Sequence, residues 1–393
     1  MGRTGSVVIS HENDPSGSLH VVLEAEGESG ECRLSLIPRD LSHLRLLEGV
    51  DEEKSLLRLR TLFHLCGKAQ EKLAFLALKA ARGEETGNPL LDGELLRESL
   101  LESLRALLLP MAGETTPSLS DPRMWRRLRD LGKETPGQSK DFFREFRELL
   151  EEFVLVESVS RFLARKSEVD WDAWVRTSSD LSPVARRAGR FTPDADAAVR
   201  PLPALLLEDG KDVGRLALAL EEADFLASPR LDEAGRETGP MARMRGHPLV
   251  AALSGAGRSL SSRLAARLTE LALWSGGEEA VGGMGSSLAK ISSRALGRGE
   301  AIAWGETARG LLVHRWIRRE TLVNKVRILA PTEWTFAPEG GSFATWFSVV
   351  SRNSGSRTNL RKIVAEALWV FDPCAPVVIL ERSPGQKTEG QNA

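Results

Sequence analysis

Two hydrophobic periods divide the chain. Residues 19–24 and 32–37 are rich in apolar side chains, with the turn-forming Glu26-Gly27-Glu28-Ser29-Gly30 between them, which predicts a β-hairpin with a loose loop. From Glu52 to Arg82 there is no proline, and Leu62, Leu65, Cys66, Ala69, Leu73, Leu76 and Ala80 recur at helical spacing. Gly67 interrupts this run at a cost of about 1 kcal/mol relative to alanine, so a break is expected there. Residues 94–109 form a second amphipathic helix stopped by Pro110. Residues 141–165 form a third, striped by Phe142, Phe143, Phe146, Leu149, Leu150 and Phe153. Prolines at 183, 193, 201 and 203 make 166–211 an irregular connection with short helices. Helical spacing returns at 213–226 and 257–273, followed by a glycine-rich loop at 275–286. Alternating strands are expected at 311–317 and 322–330, a helix at 359–369, and a disordered polar tail at 382–393. The pattern predicts an α+β fold, mainly helical, with small β elements near both termini.

Composition narrows the function classes. The 393 residues are 41% hydrophobic, enough for a large core, and no segment reads as a linker between independent domains. We therefore expect one domain over 1–393. Basic and acidic residues number 53 and 55 and are interspersed, which gives no field to recruit nucleic acid or an anionic membrane. No apolar run is long enough to span a bilayer, and residues 1–15 lack the apolar core of a signal peptide. Three cysteines, Cys32, Cys66 and Cys374, make no disulfide framework and fit a reduced, cytoplasmic setting. Phosphate-loop, nucleophile-elbow, HExxH and paired CxxC motifs are all absent.

Taken singly, the remaining candidates have ordinary explanations. Cys66 lies on the apolar stripe of a helix, where cysteine behaves as a small hydrophobe. Cys374, in Phe371-Asp372-Pro373-Cys374, fits a turn after a helix, and Pro331-Thr332-Glu333-Trp334 fits a strand exit. A lone histidine is more often a satisfied core or surface residue than a ligand.

Their order along the chain says more. Five stretches follow one another as in a single family: Gly17-Ser18-Leu19-His20-Val21-Val22-Leu23-Glu24; Arg45-Leu46-Leu47-Glu48 with Cys66-Gly67-Lys68-Ala69; Gly239-Pro240-Met241-Ala242-Arg243 with Arg263, Arg267 and Glu270; Glu306-Thr307-Ala308-Arg309-Gly310-Leu311-Leu312-Val313-His314 with Pro331-Thr332-Glu333-Trp334; and Phe371-Asp372-Pro373-Cys374. Together they resemble the large, metal-binding subunit of [NiFe] hydrogenases. The likeness is close over 1–110 and 236–381 and thin over 110–235. It implies a large-subunit-like helical core.

The resemblance also shows what is missing. In that family two CxxC pairs supply four thiolates to nickel and iron. Here each pair keeps its first cysteine, Cys66 and Cys374, and has Ala69 and Val377 in place of the second. Two thiolates do not build the dinuclear centre, so neither a nickel–iron centre nor hydrogen turnover is expected. The family's terminal histidine, after which a protease trims the tail, falls at Leu380, and the histidine after the first pair falls at Leu73. What remains resembles the HupK-type hydrogenase accessory proteins, which look like shortened large subunits. That likeness implies a non-catalytic maturation factor. It would act as a scaffold on which iron with cyanide and carbonyl ligands is assembled and passed to the large-subunit precursor, with other maturation proteins as partners. Cys66 and Cys374 are the expected metal-facing pair. Arg309 is the expected donor to cyanide, and Glu48, Glu306 and His314 are expected to order the surroundings, while Lys68 is a candidate to keep Cys66 charged. Two other readings stay open: a metal-free interaction protein that mimics or protects the precursor, and a redox sensor acting through Cys66.

Overall fold

In a computed structural model, the described residues are 17–26, 31–63, 65–84, 90–109, 121–133, 139–196, 201–205, 211–222, 224–232, 234–277, 287–353 and 357–382. The expected glycine-rich loop from residue 278 and the expected tail from 383 lie outside them.

The N-terminal hairpin forms as its pattern predicts. β1 (Leu19–Glu26) pairs antiparallel with β2 (Glu31–Ile37), with Val21 opposite Leu36 and Leu23 opposite Leu34. A third strand comes from the far end of the chain: β8 (Val377–Arg382) runs parallel to β1, Leu19 beside Val377 and Val22 beside Leu380. β1 is therefore the central strand of three. Its run Leu19, Val21, Val22 and Leu23 is buried on both faces, as a covered central strand requires.

The second sheet has five strands in the order β3 (Leu90–Leu91), β4 (Lys290–Gly297), β5 (Glu300–Thr307), β6 (Gly310–Arg319) and β7 (Leu322–Leu329), each antiparallel to the next. Periodicity gave only the last two. β5 escaped because it is buried along almost its whole length, polar Glu306 and Thr307 included, so no alternation marks it.

The expected helix from Glu52 onward is two helices. α1 (Glu52–Leu62) is N-capped by Asp51, whose carboxylate accepts from the Lys54 amide at 2.8 Å. α2 (Gly67–Ala81) starts after Cys66, which sits in the left-handed region at φ 55°. Gly67 thus opens a helix instead of weakening one. α2 lies across β4, β5 and β6 and buries Ala69, Leu73, Ala74, Ala77 and Leu78. α3 (Gly93–Leu108) follows, capped by Asp92. The expected helix over 141–165 is also divided, into Ser139–Leu149, a π turn at Leu150–Leu155 that ends at left-handed Val156, and Val159–Leu163. Pro331–Thr335 is a short helix, not a strand exit.

At the centre lies the helix Ser259–Trp274, every residue of which is buried. Its charged residues Arg263, Arg267 and Glu270 follow i, i+4, i+7 spacing and so share one face. The C-terminal helix Arg357–Phe371 packs against it. The main apolar core draws on residues from Leu19 to Phe371. No helix among the described residues is long and apolar enough to cross a membrane.

Candidate functional site: a buried arginine between two cysteines

Arg309 occupies the tight turn between β5 and β6. The Thr307 hydroxyl donates to the Gly310 carbonyl at 2.8 Å and closes the turn. Gly310 (φ 138°) and Gly239 (φ 78°) allow two backbone segments to meet there. A Cβ on Gly239 would collide with the Arg309 carbonyl, and one on Gly310 would collide with Thr238. Only glycine fits both places. Two sequence motifs, around 239 and 309, are thereby locked together.

The Arg309 side chain is 7% exposed and gathers three elements. Its Nη1 lies 3.1 Å from the Glu102 carboxylate of α3 and 3.7 Å from Cys66 Sγ, 243 positions away in sequence. Its Nε lies 3.1 Å from the Asp372 carboxylate. Asp372 follows the C-terminal helix in the left-handed region at φ 49°, a helix-ending conformation that turns the chain toward Pro373 and Cys374. Burial works to lower the Arg309 pKa, but the Asp372 and Glu102 carboxylates outweigh it and hold the group charged. The same charge is felt at both sulfurs.

Cys66 ends the link between α1 and α2. The Glu98 carboxylate accepts from the Lys68 and Ala69 amides at 2.7 and 2.9 Å, which caps α2 immediately beyond the cysteine. Burial pushes the Cys66 thiol well up; Cys374, Glu98 and Glu102 add to this and Arg309 opposes it. Unliganded Cys66 is thus a neutral thiol. Lys68 is exposed, so the cation against Cys66 is Arg309 and not the neighbouring lysine. Ala69, at the position of the missing second cysteine, is fully buried.

Cys374 is held differently. Its amide donates to Thr332 Oγ1 at 2.9 Å, which leaves the hydroxyl proton free to point at Cys374 Sγ, 2.8 Å away. Arg39, anchored on Glu333 at 3.1 Å and on the Gly17 carbonyl at 2.9 Å, also faces this sulfur. Each cysteine thus has its own buried arginine.

The other expected residues lie apart from the thiols. Glu306 pairs with Arg243 at 2.6 Å, and Arg243 also grips Glu270 through two bonds of 2.6 and 2.8 Å. Glu48 accepts from the Val326 amide at 3.0 Å and ties the chain before α1 to β7. His314 is fully buried: Nε2 meets the Gln70 side-chain oxygen at 2.8 Å and Nδ1 accepts from Trp316 at 3.2 Å. Burial lowers its pKa to about 3, so it is neutral and carries its proton on Nε2. Sequence reading missed Glu102, Glu98 and Arg39. Nothing in their local sequence marks them, since each acquires its role only through long-range packing.

Among the described residues no group of three or more His, Cys, Asp or Glu is placed to hold a metal. Two thiols and a flanking guanidinium are present, and soft thiolates favour nickel and iron. Any metal held here would draw its remaining ligands from elsewhere.

No family model matches the chain. Among solved structures, the chain is similar to the [NiFeSe] hydrogenase of Desulfomicrobium baculatum (TM-score 0.52, 12% identity, 89% of this chain and 95% of that one). It is also similar to the Ni-Fe-Se hydrogenase of D. vulgaris Hildenborough (TM-score 0.50, 14% identity, 88% and 94%). These likenesses establish a hydrogenase large-subunit-like α+β fold. In sequence it is 30% identical to the hydrogenase expression/formation protein HoxV of Cupriavidus necator, over 85% of this chain and 89% of that one. It is 27% identical to the expression/formation protein HupK of Azotobacter vinelandii, over 91% and 97%. The chain belongs to the HoxV/HupV/HupK family of hydrogenase expression/formation proteins.

Proposed function

We propose that the protein is a non-catalytic hydrogenase maturation factor that receives the iron fragment with its cyanide and carbonyl ligands and passes it to the large-subunit precursor. The observation that carries this reading is the meeting of Cys66, Arg309 and the Asp372–Cys374 turn at one place, with Ala69 and Val377 where the other thiolates would be. The fragment is cargo in this scheme. Cys66 and Cys374 grip it, Arg309 donates hydrogen bonds to a cyanide nitrogen, and the incomplete ligand set keeps it exchangeable. Cys66 is a neutral thiol before loading, so capture releases a proton and tightens as pH rises.

The test is infrared spectroscopy on protein isolated without oxygen from cells expressing the full maturation set. Cyanide and carbonyl bands are expected in the wild type and lost in Cys66→Ser and Cys374→Ser. Wild-type protein that shows no such bands, with its partners co-purified, sinks the proposal. Among the described residues no third metal-ligating side chain joins the two thiols, which favours a second reading, a metal-free mimic of the precursor. In that case the double serine variant still supports maturation.

A further inference from the structure

The α1–α2 hairpin turns large apolar side chains outward. Leu57 is 62% exposed, Phe75 51% and Leu65 43%. Each helix packs on the core through its other face, α1 through Leu59 and α2 through Leu73 and Ala77. Ion pairs align the two helices antiparallel: Arg60 with Glu71 at 2.6 Å near the link, and Arg82 with Glu52 at 2.5 Å at the far end. Leu57 stands one turn from Arg60, and Phe75 one turn from Glu71, both away from the link, so the two are neighbours across the hairpin. Leu46, 55% exposed, adjoins them, since Arg58 Nη1 donates to its carbonyl at 2.6 Å. Leu65 directly precedes Cys66, so the apolar face runs up to the first thiol. Single exposed leucines are ordinary, but a run of them on adjoining turns marks an interaction surface.

The rim sets the sign of the partner. Arg45, Lys54, Arg58, Arg60 and Lys68 stand around this face against Asp51, Glu53 and Glu71, an excess of positive charge on a chain whose net charge is −2. Lys54 and Arg60 are paired with Asp51 and Glu71, but Arg45 and Arg58 have no ion pair among the described residues. Unpaired rim cations beside apolar anchors complement a surface of the opposite charge.

We infer that this face docks a partner protein that presents apolar side chains edged by carboxylates, and that it seats the partner within reach of Cys66. The inference rests on the maturation role proposed above but not on the iron fragment, because a metal-free mimic would meet its partner on the same face.

Site-specific photo-crosslinking tests this in full-length protein, in cells expressing the full hydrogenase maturation set. A photoreactive residue at position 57 or 75 should crosslink to a hydrogenase or maturation protein, through a peptide rich in Asp and Glu. The same residue at Val169 or Leu218, exposed apolar positions on other helices, should not. Leu57→Ser combined with Phe75→Ser should lower recovery of that partner by more than about tenfold. Arg45→Glu combined with Arg58→Glu should lower it by roughly three- to tenfold, with the larger loss at low salt. Crosslinks equally strong from 169 and 218, crosslinks only to a second copy of this chain, no crosslinks at all, or binding to phosphatidylglycerol vesicles in place of a protein would each overturn the assignment. Crosslinks retained on protein that lacks cyanide and carbonyl bands would remove the cargo and support the surface.

Discussion

Arg309 has to serve four neighbours with one planar group: Glu102, Asp372 and, through its charge, both cysteines. Removing it leaves Asp372 with only the 3.4 Å contact to Arg267 and Glu102 with only the 3.7 Å contact to Arg105 among the described residues. Arg309→Ala should therefore cost about 1–3 kcal/mol in chemical denaturation, the usual penalty for weakening the hydrogen bonding of buried groups. It should also slow alkylation of Cys66, since the guanidinium that favours its thiolate is gone. His314 gives a pH prediction. Its folded pKa of about 3 lies below the unfolded value near 6.5, so between those limits the unfolded chain binds the extra proton. Stability should fall as pH drops, by on the order of 2 kcal/mol between pH 6.5 and 5, and His314→Gln should remove that part of the slope. A slope unchanged in the variant would place the titration elsewhere. At this scale the sequence announced Cys66, Cys374, Arg309 and Glu306 through ordered motifs. It could not separate His314, a satisfied core residue, from them, because Gln70 and Trp316 become its partners only in the fold.

Elements place these residues, and two junctions matter most. Glu98 caps α2 beside Cys66, so Glu98→Ala should lower stability by about 1–2 kcal/mol and loosen the cysteine, seen as faster hydrogen exchange at the Lys68 and Ala69 amides. Gly239 lets the chain before the Pro240–Met244 helix touch the β5–β6 turn. Gly239→Ala carries both the clash and a φ of 78°, so a loss of roughly 3 kcal/mol is expected, with Arg309 displaced. Equal stability of wild type and variant would refute the interlock. Helical stripes were legible because one face of each helix is buried, and the first hairpin because a turn-rich stretch separates two apolar segments. β4 and β5 were not, since burial of Ser292, Ser293, Glu306 and Thr307 erases the alternation that marks a strand. The break before α2 was half legible: Gly67 flagged it, but left-handed Cys66 is what makes it.

Across the whole molecule, the two ends of the chain share one sheet. β8 supplies the third strand beside β1, and Leu380 sits within it opposite Val22. A chain ended at Pro376 should expose that edge, lose on the order of 3 kcal/mol and tend to associate, as light scattering would show. The intact mass of the protein should be unchanged by co-expression with a hydrogenase maturation protease, because a cut near Leu380 would remove part of a paired strand. The sequence identified the family but not this closure, which depends on a parallel pairing between residues far apart in the chain.

That closure sets an order of events. A ribosome delivers β1 and Cys66 early, and both wait for β8 and Cys374, which are made much later. Until those residues have emerged, no stretch of nascent chain holds both thiols. On the proposed scaffold role, a fragment gripped by both can be captured only after Cys374 has been made, so its loading is timed by the late part of synthesis and not by the appearance of Cys66.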